Sequence, residues 1–320
     1  MEGFKMKKGT KRLLSLFTIF AAFLLIVSGC GGASVGNKSG NSKVTKKAAK
    51  NVKIGVSLST LSNPFFVDVK KGIDNEAKAN GSKVQTFDAQ NDSSKQNNQI
   101  SDLITKKVDV IIVNPVDSDA IVPAVKKANN AGIPVIACDR GSNGGTLLTT
   151  VASDNVKAGK MAAEFLQKQV GNKAKVAELE GTPGADAAVQ RGKGFNNAIK
   201  GNLDLVTKQS ANFDRAKGLN TTQNILQAHS DIKGIFAQND EMALGAVKAV
   251  KGQDIKIVSI DGTPDGLAAV KKGELTGIIA QQPKTEGKLA VKAAYKHYQG
   301  KKVSKTIASP IHLVKSPNAK

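Results

Sequence analysis

From Val52 onward the chain alternates between short apolar runs and longer segments in which apolar residues recur every three or four positions. Val52–Leu58 alternates and reads as a first strand, followed by a loop over Thr60–Phe66 that ends Asn63-Pro64-Phe65-Phe66. A helix is expected from Val67 to about Asn80, then a strand over Ser82–Asp88, a helix through Ile100 and Leu103, and a strand over Val108–Val113. Helical spacing over Ala120–Ala131 leads into Ile133–Cys138, an apolar run with β-branched residues that stops on Asp139 and Arg140. Thr146–Ser153 looks like a crossing strand, and Asp154-Asn155 caps a helix over Val156–Val170. The alternation then restarts, with strands over Ala174–Leu179, Leu203–Gln209, Ile232–Ala237, Ile255–Ile260 and Leu275–Ala280. Between and after them, helices are expected over Ala187–Lys200, Gly218–Ala228, Met242–Val250, Leu267–Lys272 and Thr285–Tyr298, and Ile307–Val314 reads as extended.

Strand, helix, strand at these intervals means parallel sheet wound by right-handed crossovers. The two halves echo each other: a strand ending in Asn114 precedes one ending in Asp139, and a strand ending in Asn239 precedes one ending in Asp261. The fold class expected is therefore α/β, with two similar doubly wound parallel-sheet lobes facing across a cleft.

Ligands of open α/β sheets sit outside the carboxyl ends of the strands. Polar residues near those ends here are Asn63, Asn114, Asp139, Arg140, Arg191, Asn239, Asp261 and Gln281, with Phe65, Phe66 and Phe213 close by. A sugar hydroxyl donates one hydrogen bond and accepts up to two, so it needs a carboxylate or amide oxygen on one side and a guanidinium or amide N–H on the other. Aromatic faces suit the C–H faces of a sugar ring. The set fits a polyol.

The formal net charge is +21, part of it in Lys5, Lys7, Lys8, Lys11 and Arg12 and part in the acid-free stretch from Lys38 to Lys50. The remaining lysines are interspersed with acids, which reads as a solvated surface rather than a nucleic-acid site. Residues 1–30 have the form of an export signal: a basic start, then Leu13–Val27 almost without a polar residue. The run ends Val27-Ser28-Gly29-Cys30, which resembles the lipobox of bacterial lipoproteins, so Cys30 is the expected lipidation site. Residues 31–51, rich in Gly, Ser, Asn and Lys, read as a flexible tether. Cys138 is then the only other cysteine, expected to be a small core residue without a disulfide partner. No zinc-protease, nucleophile-elbow or phosphate-loop motif is present, and an enzyme is not expected.

Thr60–Phe66, Val113–Ala120, Ala152–Asn155, Phe213-Asp214-Arg215, Phe236–Gly245 and Asp261–Gly266 resemble the ribose-binding members of the sugar-binding protein family of bacterial ABC transporters. The similarity runs from about Val52 to the C-terminus. It implies a type I periplasmic binding protein whose lobes are joined by three hinge crossings near Ser153, Gln281 and Pro310. One lobe would comprise 52–153 with 282–310, the other 154–281 with 311–320. Phe65, Phe66 and Phe213 would sandwich the sugar while the polar set holds its hydroxyls. Ile260 stands where a relative in this family carries Phe, which would loosen one wall. The resemblance implies a monomer without a cofactor, anchored by lipid to the outer face of the membrane. It would capture D-ribose and deliver it to an ABC transporter permease, with a sensory role, or a related sugar such as allose, galactose or a furanosyl compound, as the alternative. A gene regulator of the same fold would need a helix-turn-helix where this chain has its signal and tether.

Overall fold

A computed structural model describes residues 45–320. The expected signal segment, Cys30 and the tether as far as residue 44 lie outside the described residues. The last residues of the stretch read as a tether are docked on the body. The Lys47 N–H donates to the Tyr298 carbonyl at 3.0 Å, the Lys47 ammonium pairs with Asp109, and Ala49–Asn51 form a short 3-10 turn.

Two six-stranded sheets form the frame. The first is built from β1 (Lys53–Leu58), β2 (Lys83–Asp88), β3 (Val110–Val113), β4 (Val135–Cys138), β5 (Leu147–Ser153) and β11 (Thr306–Ser309). Its order is β11-β5-β4-β3-β1-β2, parallel throughout. The second contains β6 (Lys175–Glu180), β7 (Asp204–Ser210), β8 (Gly234–Ala237), β9 (Lys256–Asp261), β10 (Gly277–Ala280) and β12 (His312–Lys315). Its order is β12-β10-β9-β8-β6-β7, parallel except for the edge strand β12. The chain passes between the sheets three times, after β5, after β10 and between β11 and β12. The extended segment over 307–314 comprises two strands, one in each sheet, separated at Pro310 and Ile311. Proline lacks the N–H that a continuing ladder needs.

Helices cover both faces of each sheet. α1 (Pro64–Ala79) and α9 (Pro283–Tyr298) bury Val69, Ile73, Val291 and Tyr295 against Ile54, Val56 and Ile136, while α2 (Ser93–Thr105) and α3 (Val122–Asn130) bury Leu103 and Val125 against Ile111 and Val113. In the second lobe α4 (Asn155–Val170) and α5 (Asp186–Ile199) enclose Leu166 and Phe195, the latter stacked on Phe236 with centroids 4.3 Å apart. α6 (Arg215–Ala228), α7 (Asp240–Ala249) and α8 (Pro264–Lys272) close the other face over Ile225, Met242 and Val270. Cys138 is buried in β4 as a small core residue. No helix of the described residues is long and apolar enough to cross a membrane.

Several helices begin earlier than the hydrophobic spacing indicates, because strand-end polar residues cap them. Asn63 accepts the Phe65 N–H at 2.9 Å with Pro64 in the first position, so Phe65 and Phe66 lie in the first turn of α1 rather than in a loop. Asp214 and Asn239 cap α6 and α7 in the same way. α4 and α5 cross so closely that a Cβ at Gly159 would lie 2.0 Å from the Arg191 carbonyl oxygen. This crossing fixes the helix that carries Arg191. Gly159→Val is expected to destabilise the protein by about 1–3 kcal/mol through overpacking, measurable as a lower midpoint in urea unfolding.

Candidate functional site

At the end of β4 the chain turns sharply, and Asp139 adopts φ 66°; at the end of β9 Asp261 adopts φ 139°. Phe213, at the start of α6, has φ 58°. Side chains other than glycine rarely occupy this region, and such strain persists where the surroundings over-determine it, often at functional sites. The determinants are visible. The Asp139 N–H donates to the Val151 carbonyl at 2.7 Å, and Asn114 Nδ2 donates to the Cys138 carbonyl at 3.0 Å and to Asp139 Oδ2 at 3.3 Å. Around Asp261, the buried Asp240 carboxylate accepts Ser259 Oγ at 2.6 Å, the Gly262 N–H at 3.0 Å, and the Thr263 N–H and Oγ1 at 2.8 Å each. The Asp240 N–H donates to Asp261 Oδ2 at 3.3 Å. Phe213 lies flat over Gly181, where a Cβ would meet its ring at 2.0 Å.

These turns deliver their side chains to one narrow, nearly filled cleft between the lobes. The first lobe contributes Asn63, Phe65, Phe66, Asp139 and Arg140; the second contributes Ala187, Arg191, Phe213, Asn239 and Asp261. All are buried, at most 9% exposed. Each lobe supplies one guanidinium–carboxylate pair: Arg140 Nε lies 3.7 Å from Asp139 Oδ2, and Arg191 Nη1 lies 3.5 Å from Asp261 Oδ1. Arg191 is held from behind by the Asn155 side chain at 2.8 Å, the Gln238 carbonyl at 2.6 Å and Gln281 Oε1 at 2.8 Å. Arg140 donates to the Pro115 carbonyl at 3.2 Å, and its guanidinium lies 5.0 Å from the Phe66 ring and 5.1 Å from that of Phe213. Asn114 and Gln281 stand behind the cleft wall, bracing Asp139 and Arg191 respectively.

Burial raises the pKa of both aspartates, Asp261 well above the ordinary carboxylate range, against the pull of Arg191 on each and of Arg140 on Asp139. Burial likewise lowers that of Arg140, against the pull of Asp139. Asp139 Oδ1, Arg140 Nε and Gln281 Nε2 are buried without a hydrogen-bond partner. Such atoms are costly to leave unmet. They are one acceptor and two donors, two of them on the cleft wall and one behind it.

The lobes also touch beside the cleft. The Ser118 N–H donates to the Gly184 carbonyl at 2.9 Å, the Asp186 N–H to Ser118 Oγ at 3.2 Å, and the Gly141 N–H to Asp186 Oδ2 at 2.9 Å. Asp186, Asn155, Gln238 and Asp240 were not singled out by the sequence as site residues. Asn155 stood out only as half of a helix-start pair, and Gln238 acts through its backbone carbonyl, which leaves no trace in residue type. Ile260 does not line the cleft: its side chain is fully buried with Phe236, Val258 and Ile279 on the far side of β9. Successive strand residues face opposite ways, so the residue before Asp261 points into the core. A larger open groove of about 1390 Å³ near Lys248, Lys251 and Glu274 contains none of the buried unpartnered atoms.

The family of the periplasmic binding protein domain matches residues 54–302, and the chain belongs to it. Among its relatives, the ribose import binding protein RbsB of Bacillus subtilis (strain 168) is 49% identical over 312 residues, 96% of this chain and 99% of that protein. RbsB of Escherichia coli (strain K12) is 43% identical, covering 82% of this chain and 90% of that protein. The resemblance to ribose-binding proteins in the sequence motifs is thus carried by most of the chain. Among solved structures, a Bacillus halodurans C-125 ABC transporter solute binding protein with bound myo-inositol has TM-score 0.80 at 33% identity, covering 86% of this chain and 97% of that one. One from Actinobacillus succinogenes 130z with bound D-allose has TM-score 0.77 at 33% identity, covering 82% and 97%. The two-lobed fold is that of a type I periplasmic binding protein.

Removing one member of a buried pair leaves the other charge uncompensated. Arg191→Met is expected to lower unfolding free energy by about 3–5 kcal/mol for that reason, measured in urea. Asp261→Asn on the Arg191→Met background should recover part of the loss.

Proposed function

We propose that the protein is an extracytoplasmic receptor that encloses D-ribose between its lobes and delivers it to the permease of an ABC transporter. The observation that carries this reading is the cleft itself: one carboxylate–guanidinium pair from each lobe, aromatic rings beside them, and buried donors and an acceptor left without partners. In this reading Asp139 and Asp261 accept hydroxyl protons from opposite sides, Arg140 and Arg191 donate to ring or hydroxyl oxygens, and Asn63 and Asn239 add amide donors. Phe65, Phe66 and Phe213 cover the ring faces. Asn114 and Gln281 complete the set from behind Asp139 and Arg191. The names of the relatives support ribose, and their family supports a location outside the cytoplasm and a binding rather than catalytic role. The D-allose and myo-inositol held by structural relatives make a related polyol the second reading.

The lobes in this proposal comprise 52–153 with 282–310 and 154–281 with 311–320, moving about the three crossings. A ligand that touches both lobes favours the closed form by its differential affinity for it. The receptor works as a monomer tethered by a lipid on Cys30; two acyl chains would give stable anchoring where one is marginal.

Calorimetry should show one D-ribose per chain, with allose, galactose and myo-inositol weaker. Hydrogen bonds to charged groups contribute roughly 1.5–3 kcal/mol, so Asp139→Ala and Asp261→Ala should each cost at least roughly tenfold in affinity. Both should also reduce the ligand-induced fall in radius of gyration seen by X-ray scattering. Stronger binding of another sugar would replace ribose in the proposal while leaving the cleft intact. Unaltered binding in both variants would move the site elsewhere.

Mass spectrometry of the membrane fraction is expected to find a lipid-modified cysteine at Cys30, and Cys30→Ala should release the protein. Unchanged membrane retention of that variant would refute the anchor.

A further inference from the structure

One buried acid lies outside the cleft wall. Glu286, in the first turn of α9, is fully buried. It follows the crossing from β10, and it meets the last residues of the strands that lead to the other two crossings. Ser153 ends β5 and Ser309 ends β11, and the two are partners in the parallel ladder. Ser153 Oγ donates to Glu286 Oε1 at 2.9 Å. No hydrogen bond of ordinary length joins Ser309 Oγ to Glu286 Oε2, although Ser309 lies close enough to act as a donor that favours the ionised form.

The surrounding charges do not compensate an anion there. At the end of β4 the Asp139 carboxylate disfavours a charge on Glu286, and a charge on Glu286 would in turn help keep the buried Cys138 thiol neutral. The cation that acts on it is Arg191 on α5, which is already committed to Asp261 at 3.5 Å. On the outward side of α9, Lys284 pairs with Asp68 of α1 at 3.6 Å. Glu286 itself forms no ion pair among the described residues. A fully buried carboxylate with no cation partner and only hydroxyl neighbours is strongly disfavoured. A protonated carboxyl is both acceptor and donor. With Ser309, either protonation state can meet both oxygens; the neutral form does so without placing a second negative charge beside Asp139.

We propose that Glu286 is held as a neutral acid in the closed protein and acts as a positioning residue, tying the ends of β5 and β11 to the start of α9 and sparing Asp139 a second negative charge. Burial together with the Asp139 charge raises the Glu286 pKa well above the ordinary glutamate range. The sign follows: an acid whose folded pKa is raised contributes stability present below the ordinary range and lost as pH rises toward the folded value. The effect on binding rests on the function proposed above; the effect on stability does not.

The test compares wild type with Glu286→Gln, which mimics the neutral acid, and with Glu286→Leu, which offers the serines no partner. Thermal unfolding without ligand, from about pH 4.5 to 9, should show the advantage of Glu286→Gln over wild type growing with pH. A gap that stays constant over that whole range would mean an ionised Glu286 and would overturn the proposal. At neutral pH, D-ribose affinity should stay within about twofold of wild type in Glu286→Gln and fall at least threefold in Glu286→Leu. Wild-type affinity in Glu286→Leu would overturn the positioning role. If wild type itself binds no ribose, the function proposed above fails, while the pH series still decides the protonation of Glu286.

Discussion

Four charged side chains are buried in one cleft, and the rest of the molecule is arranged so that this is tolerable. An ion removed from water costs several kcal/mol unless opposite charge and hydrogen bonds replace the solvent. For Arg191 the replacements come from three places: the start of α4 through Asn155, the end of β8 through the Gln238 carbonyl, and the end of β10 through Gln281. A single guanidinium therefore fixes the relative positions of three strand–helix junctions in the second lobe. In the first lobe the same task falls to Asn114, which joins the ends of β3 and β4 and holds Asp139 in its strained turn. Arg140 belongs to both systems. It pairs with Asp139 of its own lobe and stacks against Phe213 of the other.

The acids of the molecule divide by the company they keep. Asp240 is buried without a cation but collects hydrogen bonds from Ser259, Gly262 and Thr263, enough to support a charge, although burial still pushes its pKa up to about 6. Asp139 and Asp261 rely on guanidinium groups. Glu286 has no ion pair among the described residues and one hydrogen bond, from Ser153.

Much of this was legible before any coordinates. Apolar runs that break abruptly on Asn, Asp or Arg mark where a strand leaves the core, so Asn114, Asp139, Arg140, Asn239 and Asp261 could be read directly. The structure brings them to one region. The helix starts were harder, because Asn63, Asp214 and Asn239 serve at once as strand-end residues and as caps, and hydrophobic spacing sees only the turns that follow. The contacts of Asp186 with Gly141 and of Glu286 with Ser153 join residues far apart in sequence. No local pattern encodes them. Ile260 shows the opposite error: the family resemblance suggested a cleft wall there, but the strand's alternation sends it into the core.

The bonds that join the lobes beside the cleft, Ser118 to Gly184 and Gly141 to Asp186, have a kinetic meaning. Every lining residue of the cleft is buried, so a molecule held there would be largely covered by the two lobes. Its escape waits on the lobes parting, so its residence time is governed by how often those rim contacts break together. Rim bonds belong to the closed arrangement alone, so weakening them would lower affinity and shorten the stay together. Which molecule fits would still be decided by the cleft.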